Sequence, residues 1–558
     1  MSRTLRWAAA AACMATLAGG CARVPTSGPV VEVDQSVPEI GSSRFVRALA
    51  RPPHDGMSQD EVVRGFLNAA SGFEDGHAVA RQYLTAEAAR SWDAEAGVQV
   101  YGNDTESLTD VDEHTVRMTA DEVALISDRK QYAPVEPGSV LTQDFSLVQQ
   151  GGQWRISSPP PGLLLSRAAV ERSYREFQTY FIARPGGILA PNPVLFASSQ
   201  RDVTEDLIRS LLAGPGAWLD PAVTSGFPVG TELNSATVTD GIARIDLSAP
   251  AMQADDLGRQ QLSAQLVWTL RQVAGVRAVV ITVDGQPLAV PGIDPIQPRT
   301  AWADFDPDGL PAGAPWYLTR SGAVLAMDAA NLAVPAAGAA GVGRPKVARP
   351  LVSLDQTSVA ATDPSGQLLT AQLDEGSRWA RALTSGKSAG GSWDRTGLLW
   401  LPDKNGVQAV NALGTQKVRI SLDDVRSVQI SRDGSRALVI AGPKDAAAAY
   451  LLRMDRTTGP AHPSRPRLVS AGPVLAGVWV NATEVALLTK QTGQPAQVAT
   501  VDLGLFSVHQ LAGPPRARSV AAAPDRPLLS GTADGQIWQF NGSTWVPLAP
   551  GRQPRYPG

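Results

Sequence analysis

The chain begins with a short apolar run that follows two positive charges. Arg3 and Arg6 precede the run, which extends from Trp7 to Leu17 and is 11 residues long. A helix of that length rises about 1.5 Å per residue and cannot cross a hydrocarbon core about 30 Å thick. Positive residues, a short apolar core and then small residues are typical of a cleaved signal peptide, which we predict over residues 1–20.

The end of this run resembles a lipobox, the signal for attaching lipid to a cysteine. The residues are Leu17-Ala18-Gly19-Gly20-Cys21. A lipobox usually has leucine three residues before the cysteine, whereas here leucine is four before it. The resemblance implies cleavage before Cys21 and an S-diacylglycerol and an N-acyl group on Cys21. The alternative is an ordinary signal peptide cut near Ala18-Gly19, with Cys21 incidental.

The cysteine content favours lipidation. The chain has 2 cysteines, and Cys13 lies inside the segment to be removed. Cys21 would remain as a free thiol in an oxidising compartment unless it were acylated. Residues 21–56 are interrupted by prolines and predict a tether. No later apolar run approaches 18 residues, so we expect the lipid alone to anchor the chain on the extracytoplasmic face of the cell membrane.

The apolar spacing over residues 57–158 predicts an α+β domain. Ser58 and Glu61 have the spacing of a capping box before an apolar helix. Further helical segments are predicted at 77–84 and 86–92. The period then changes to two, which predicts strands at 111–118, 139–148 and 153–156. Helices followed by an antiparallel sheet resemble the NTF2-like cone fold.

A helical segment predicted from Leu163 to about Glu176 leads to a second α+β domain over residues 177–297. A helix with apolar residues from Val203 to Leu212 ends at Gly214-Pro215. The Asp-Gly pair at 240–241 predicts a tight turn of type I′ in a hairpin, and the pair at 284–285 predicts a turn into a strand at 286–290. The remaining predicted elements are a strand at 193–196, a helix at 262–273 and a strand at 279–283.

Four blocks of this second domain resemble, in the expected order, the GerMN domain of exported bacterial proteins. They are 211–215 (LLAGP), 228–233 (PVGTEL), 241–248 (GIARIDLS) and 283–285 (VDG), with a glutamine-bearing helix before the last. Gly230 and Gly241 are interpreted as turn residues with a structural role.

Short apolar strands and turn residues alternate over residues 300–558, which predicts an all-β propeller. Asp355, Asp394 and Asp433 recur at intervals of 39 residues in similar contexts, and Asp525 follows later. A period near 40 with strand content is typical of four-stranded blades, and about six blades fit this length, with five or seven as alternatives. The Ser-x-Asp-Gly turn resembles that of TolB-like and WD-like propellers. The recurring tryptophans are interpreted as blade core, with a carbohydrate-reading surface as the alternative.

Composition and charge exclude several classes of function. The chain has 558 residues, a net charge of −4 and no basic block, so nucleic acid is not an expected partner. The 5 histidines have no zinc-site spacing. The G-x-S-x-G match at 386–390 (GKSAG) lies among the short strands and turns of residues 300–558, whereas a nucleophile elbow requires a strand followed by a helix. We therefore expect no catalytic residues, no metal and no cofactor. Carboxylates of a glycosidase come from separate strands and cannot be recognised from spacing.

The whole layout, including 21–29 (CARVPTSGP), resembles the LpqB family of actinobacterial lipoproteins. The resemblance implies a regulatory lipoprotein, not an enzyme. Its expected partner is the extracytoplasmic domain of an MtrB-like sensor histidine kinase, through which it would affect cell-wall and division control. The alternative is a lipoprotein that binds or hydrolyses cell-wall glycan through the propeller, which would require carboxylates and exposed tryptophans near the propeller axis.

Overall fold

The fold is known from a computed structural model. The structure describes residues 51–73, 76–184, 187–200, 202–311, 313–382, 390–403, 406–411, 414–457 and 461–558. Cys21 and the predicted signal peptide lie outside these residues. The segment Leu49–Gly558 forms one compact unit, and within it the chain builds a helix-and-sheet domain, a second α+β domain and a ring of sheets.

The first domain begins with three helices, α1 (Gln59–Ala70), α2 (Ala78–Arg81) and α3 (Ala86–Ser91). The predicted capping box at the start of α1 is confirmed, because the backbone N–H of Ser58 donates to the Glu61 carboxylate at 2.8 Å. The apolar face of α1 is buried, and Phe66 packs edge-on against Trp92 and Phe145.

These helices pack on a seven-stranded sheet in which the order β6-β5-β3-β1-β7 is extended by β2 and β4, both paired with β3. The strands are β1 (Val98–Tyr101), β2 (Ser107–Asp112), β3 (Thr115–Ile126), β4 (Tyr132–Pro134), β5 (Val140–Gln150), β6 (Gln153–Ser158) and β7 (Leu163–Ser166). The single strand predicted over 111–118 is wrong. The chain reverses at Glu113-His114, where the Asp112 carboxylate accepts the His114 N–H at 2.8 Å and stabilises a turn.

The helix predicted from Leu163 to Glu176 is also wrong over half of its length. Leu163–Ser166 is strand β7 and pairs in parallel with β1, and helix α4 is limited to Arg167–Ser173. The Ser166 hydroxyl accepts the Ala169 N–H at 3.2 Å and starts this helix. A short apolar run fits a buried strand and a buried helix equally well, so periodicity alone could not separate them.

The second domain contains a three-stranded sheet and a five-stranded sheet. The first consists of β8 (Tyr174–Ala183), β9 (Leu189–Ala197) and β10 (Val223–Thr224), and the second of β11 (Leu233–Thr239), β12 (Ile242–Leu247), β13 (Ala278–Val283), β14 (Gln286–Pro287) and β15 (Gln297–Pro298). Helices α5 (Thr204–Leu212) and α6 (Asp256–Leu270) complete the domain. Helix α6 connects β12 to the parallel strand β13.

Local turn signals in this domain are confirmed. Asp240 and Gly241 have φ of 53° and 77°, as a type I′ turn requires, and the second Asp-Gly pair, Asp284 and Gly285, has 45° and 77°. Helix α5 ends where predicted, because Gly214 has φ of 90°. Strand β8 was not predicted.

The ring consists of six sheets in the described residues, which confirms a propeller of six blades. The strands of the first three blades are β16 (Trp316–Arg320), β17 (Ala323–Met327), β18 (Ala333–Pro335), β19 (Ala348–Val352), β20 (Ser358–Thr362), β21 (Leu368–Gln372), β22 (Ala380–Arg381), β23 (Ser392–Trp393), β24 (Leu399–Asp403), β25 (Gly406–Asn411) and β26 (Gly414–Arg419). A short helix, α7 (Ala339–Val342), lies between β18 and β19.

The last three blades contain β27 (Val425–Ile430), β28 (Arg436–Ala441), β29 (Ala448–Asp455), β30 (His462–Pro463), β31 (Arg467–Ser470), β32 (Val474–Asn481), β33 (Glu484–Thr489), β34 (Gln497–Asp502), β35 (Val508–Leu511), β36 (Ala517–Ala521), β37 (Leu529–Thr532), β38 (Gln536–Phe540) and β39 (Trp545–Pro550). The final strand, β40 (Arg552–Arg555), pairs with β16 and supplies the inner strand of the first blade. This pairing joins the two ends of the domain and closes the ring.

The predicted repeat is a turn between the first two strands of a blade. The Asp355 carboxylate accepts the Ser353 hydroxyl at 2.6 Å, and Asp433 accepts that of Ser431 at 2.7 Å. In the blade between them the Asp394 carboxylate accepts the Thr396 N–H at 2.8 Å. We call the end of the ring that carries these turns the turn face.

Tryptophans hold neighbouring blades together. The indole N–H of Trp393 donates to the Leu351 carbonyl at 2.9 Å, and that of Trp479 donates to the Gln429 carbonyl at 3.0 Å. Trp400 is also buried. The interpretation of these rings as blade core is confirmed for these positions.

Candidate functional site at the domain junction

The site residue that the sequence predicts lies outside the described residues. Cys21 therefore has no structural account, and its lipidation stays a prediction. Within the described ranges no helix is both long and apolar enough to cross a membrane. The same ranges contain no group of three or more His, Cys, Asp or Glu side chains that could hold a metal ion.

The first domain contacts the edge of the fifth blade. One guanidinium nitrogen of Arg167 in α4 donates to the Phe506 carbonyl at 2.5 Å, and the ring of Phe506 stacks on that of Tyr132 with centroids 6.3 Å apart. Apolar residues of this blade and the core of the first domain belong to one buried cluster. The two domains therefore share a core at this point.

The second domain contacts the fourth blade through three arginines. Arg436 Nη2 donates to the Pro191 carbonyl at 3.3 Å, and Arg453 Nη1 donates to the Trp218 carbonyl at 2.6 Å. The guanidinium of Arg467 lies 4.6 Å from the centre of the Trp218 ring, a cation–π contact. We call the region where the three domains meet the domain junction.

Two buried ion pairs support the turn face beneath the junction. Arg436 Nη2 lies 3.1 Å from Asp433 Oδ2, with the two side chains 3% and 0% exposed. Arg456 Nη2 lies 2.7 Å from Asp394 Oδ2. Burial alone would raise the pKa of Asp394, but Arg456 and the hydrogen bonds from Thr396 and Trp400 outweigh it and hold this pKa below its usual value.

A cavity of about 560 Å³ lies between the second domain and the turn face. Strand β8 contributes Tyr180 and helix α6 contributes Trp268. Arg271 follows the last residue of α6, and its guanidinium lies 3.2 Å from the centre of the Trp268 ring. Burial raises the pKa of Tyr180 to about 12. The opposite wall comes from the turns of the fifth and sixth blades, including Arg526.

Asp308 is the most perturbed acidic group of this cavity. Burial raises its pKa to about 7, although Arg432 acts in the opposite direction. One of its carboxylate oxygens, Oδ1, is buried without a hydrogen-bond partner in the described part of the chain. A carboxyl that titrates near neutral pH in a polar cavity can change its charge and its hydrogen-bonding role with modest changes of pH.

A pair of half-buried carboxyl groups, those of Glu176 and Asp502, joins β8 to the fifth blade. Burial and the nearby Asp502 raise the pKa of Glu176 well above its usual value, and a hydrogen bond joins the two side chains. Asp502 also accepts the N–H groups of Gly504 and Leu505 at 3.0 and 2.9 Å.

The second domain exposes an apolar patch away from these contacts. Val229 is 100% exposed, and Met252 and Leu257 are 48% and 57% exposed. The loop that carries Val229 lies against the segment that carries Met252, because the Glu232 N–H donates to Ser248 Oγ at 2.8 Å. We call Val229, Met252 and Leu257 the second-domain patch. Apolar groups that are exposed together mark surfaces of interaction with other proteins.

Aromatic rings, arginines and carboxyls line the cavity at the junction. His77 lies in the first domain between Phe73 and Trp92, where burial lowers its pKa. No histidine is among the described residues that line the cavity at the junction. Its aromatic rings, arginines and carboxyls can bind and orient a polar group.

Sequence reasoning missed the arginines of the junction. Arg436 follows Asp433 by three residues, which is a local signal for an ion pair. Its contact with Pro191 joins residues 245 positions apart, and no spacing rule indicates such a contact.

Three family descriptions match consecutive parts of the chain. "Lipoprotein LpqB, N-terminal domain" matches residues 52–171, "Sporulation and spore germination" matches 178–289, and "Lipoprotein LpqB beta-propeller domain" matches 322–557. The predicted GerMN and propeller domains are thereby confirmed. None of the three descriptions names an enzymatic activity.

Full-length relatives carry the same family name. A protein of Thermobifida fusca named Lipoprotein LpqB is 29% identical over 99% of this chain and 98% of its own length. Proteins of that name from Cutibacterium acnes and Streptomyces coelicolor are 28% and 27% identical, over 88% and 97% of this chain and 81% and 96% of their own.

A solved structure, the first GerMN domain of the sporulation protein GerM from Bacillus subtilis, aligns with 23% of this chain and 98% of its own, at 19% identity and a TM-score of 0.20. The family of this chain is therefore assigned from the three family matches and the full-length relatives, and not from this structural similarity. The chain belongs to the LpqB family of actinobacterial lipoproteins.

Proposed function

We propose that the chain is a lipoprotein, anchored through Cys21 on the extracytoplasmic face of the cell membrane, that binds and modulates the extracytoplasmic domain of an MtrB-like sensor histidine kinase. Through that kinase it affects cell-wall and division control. The relatives' shared name supports the lipoprotein part of the proposal. The kinase is the partner that the family resemblance implies.

The observation that carries the binding role is the second-domain patch. Val229 is fully exposed, although transferring an apolar side chain of this size out of water is favourable by about 1.5–3 kcal/mol. The propeller covers another surface of the second domain, at Pro191 and Trp218. A partner that covers the patch would therefore bind without opening the junction.

The glycan alternative has little support in the described residues. It requires carboxylates and exposed tryptophans near the propeller axis. The cavity at the axis is lined by arginines and by no Asp or Glu, and Trp393, Trp400 and Trp479 are buried in the blades.

The test is a binding titration of the full chain, in detergent, against the isolated extracytoplasmic domain of the kinase. Val229→Asp with Leu257→Asp places two charges in the patch and should weaken binding by at least about tenfold, since hot-spot residues each contribute about 2 kcal/mol or more. Val508→Asp with Val546→Asp is the matched control, because these valines are 47% and 37% exposed on the propeller. Saturable binding that the patch variant leaves unchanged would contradict the role of the patch.

A further inference from the structure

The inner strands of the propeller enclose a second cavity at the end opposite the turn face. The turn face lies where these strands end, whereas this cavity is lined by residues near their beginnings, such as Arg349 in β19 and Arg426 in β27. Its volume is about 490 Å³, and all six blades contribute to its wall. It is therefore the open mouth of the central channel.

Five arginines line this mouth, and we call them the arginine mouth: Arg349, Arg426, Arg518, Arg552 and Arg555. No aspartate or glutamate is among the lining residues. This concentration of positive charge stands out in a chain whose net charge is −4. Like charges held close together repel each other unless an anion lies between them.

The five guanidinium groups form no ion pair with a carboxylate in the part of the chain that the structure describes. Arg426 Nε donates to the Gly442 carbonyl at 2.7 Å, and Arg555 Nη1 lies 3.4 Å from Gln429 Oε1. Arg552 also acts, together with Arg516, on Asp534 in a neighbouring turn and lowers the pKa of that carboxyl. Burial lowers the pKa of Arg555 to about 10, so it stays charged at neutral pH.

Two hydroxyl groups in the wall of the mouth also lack partners. The Oγ atoms of Ser427 and Ser519 are buried and make no hydrogen bond among the described residues. Both residues line the cavity beside the arginines. A buried hydroxyl without a partner loses free energy that a bound acceptor would restore.

We propose that the arginine mouth binds a ligand that carries several phosphate groups. The guanidinium fork matches phosphate oxygens, and hydrogen bonds between ions are about twice as strong as those between neutral groups. The arginines approach from different blades, and a tetrahedral phosphate accepts hydrogen bonds from many directions, whereas a planar carboxylate accepts mainly in its plane. The volume suits a ligand of small-molecule size or the end of a phosphate polymer.

This proposal does not depend on the kinase proposal. The arginine mouth lies on the propeller and the second-domain patch lies on the second domain, and they share no residue. Loss of one binding activity therefore leaves the other measurable.

The test is calorimetric titration of the full chain, in detergent, with inorganic tripolyphosphate, with long-chain polyphosphate and with citrate. The variant is Arg349→Gln with Arg518→Gln, and the control is Arg381→Gln with Arg465→Gln, which removes the same charge from two exposed positions elsewhere on the propeller. Thermal unfolding of each variant shows whether the fold is kept.

We expect tripolyphosphate to bind the native chain and the control variant with the same affinity, and to bind the mouth variant at least about tenfold more weakly. Its affinity for the native chain should also fall as the salt concentration is raised. If long-chain polyphosphate binds more tightly than tripolyphosphate, the source of the phosphates is a polymer. If the two bind equally tightly, the source is a small molecule. No binding of tripolyphosphate, equal binding by the mouth variant and the native chain, or citrate binding as tight as tripolyphosphate would each overturn the proposal.

Discussion

Replacing Arg436 by methionine should destabilise the protein by about 3–5 kcal/mol, because the change leaves a buried carboxylate without its counter-ion. The Asp433 side chain is 0% exposed, and Arg436 Nη2 lies 3.1 Å from its Oδ2. The other groups that donate to Asp433 are neutral and reach Oδ1, from Ser431 and Ser435. Methionine fills much of the space of the arginine stem, so the loss is mainly electrostatic. The lost hydrogen bond to Pro191 adds about 1 kcal/mol.

Arg209→Met provides the matched control. Arg209 Nη2 lies 3.6 Å from Glu205 Oε2, and both side chains are at least half exposed, so solvent screening limits the cost to at most about 1 kcal/mol. Urea unfolding, followed by tryptophan fluorescence and circular dichroism, measures both changes. Asp433→Asn combined with Arg436→Met should recover part of the loss, because no buried charge then remains. The reasoning is refuted if Arg436→Met costs no more than Arg209→Met.

Three further predictions address the carboxyl pair, the anchor and a turn. The pKa of Glu176 is raised in the folded state above its usual value of 4.5. The stabilisation that this shift provides is fully present below pH 4.5, and it is lost as the pH rises through the pKa that Glu176 has in the folded protein. The unfolding midpoint of the native chain should therefore fall relative to that of Glu176→Gln as the pH is raised above 4.5, and a constant difference would contradict this. Cys21→Ser should release a folded protein from the membrane fraction; a variant still bound there after a carbonate wash would disprove the anchor. Gly241→Ala should cost about 1 kcal/mol in urea unfolding, because φ is 77° there, and an unchanged midpoint would argue against a strained turn.

Local signals predicted the parts of the fold that depend on one or two residues. The Asp240-Gly241 turn follows from the positive φ that both positions require, and the end of α5 follows from Gly214. The recurring aspartates predicted the blades because each one stabilises the same turn. Such features are encoded within a few residues and can therefore be predicted without knowledge of the tertiary structure.

The features that depend on distant contacts were missed. The leucines at 163–165 form a strand because β1 lies beside them, and nothing near them in sequence distinguishes that strand from a helix. The contact between Arg436 and Pro191 joins two domains. The arginine mouth collects residues from 349 to 555, one or two from each contributing blade, so no charge run reveals it.

The most direct test of the proposed function is autophosphorylation of the sensor kinase in proteoliposomes that also contain the lipidated chain. The native chain should change the initial rate in a saturable way, and Val508→Asp with Val546→Asp should act like the native chain. Val229→Asp with Leu257→Asp should leave the rate near that of the kinase alone, because the charged patch no longer docks. A rate that the native chain does not alter at any concentration would contradict the account.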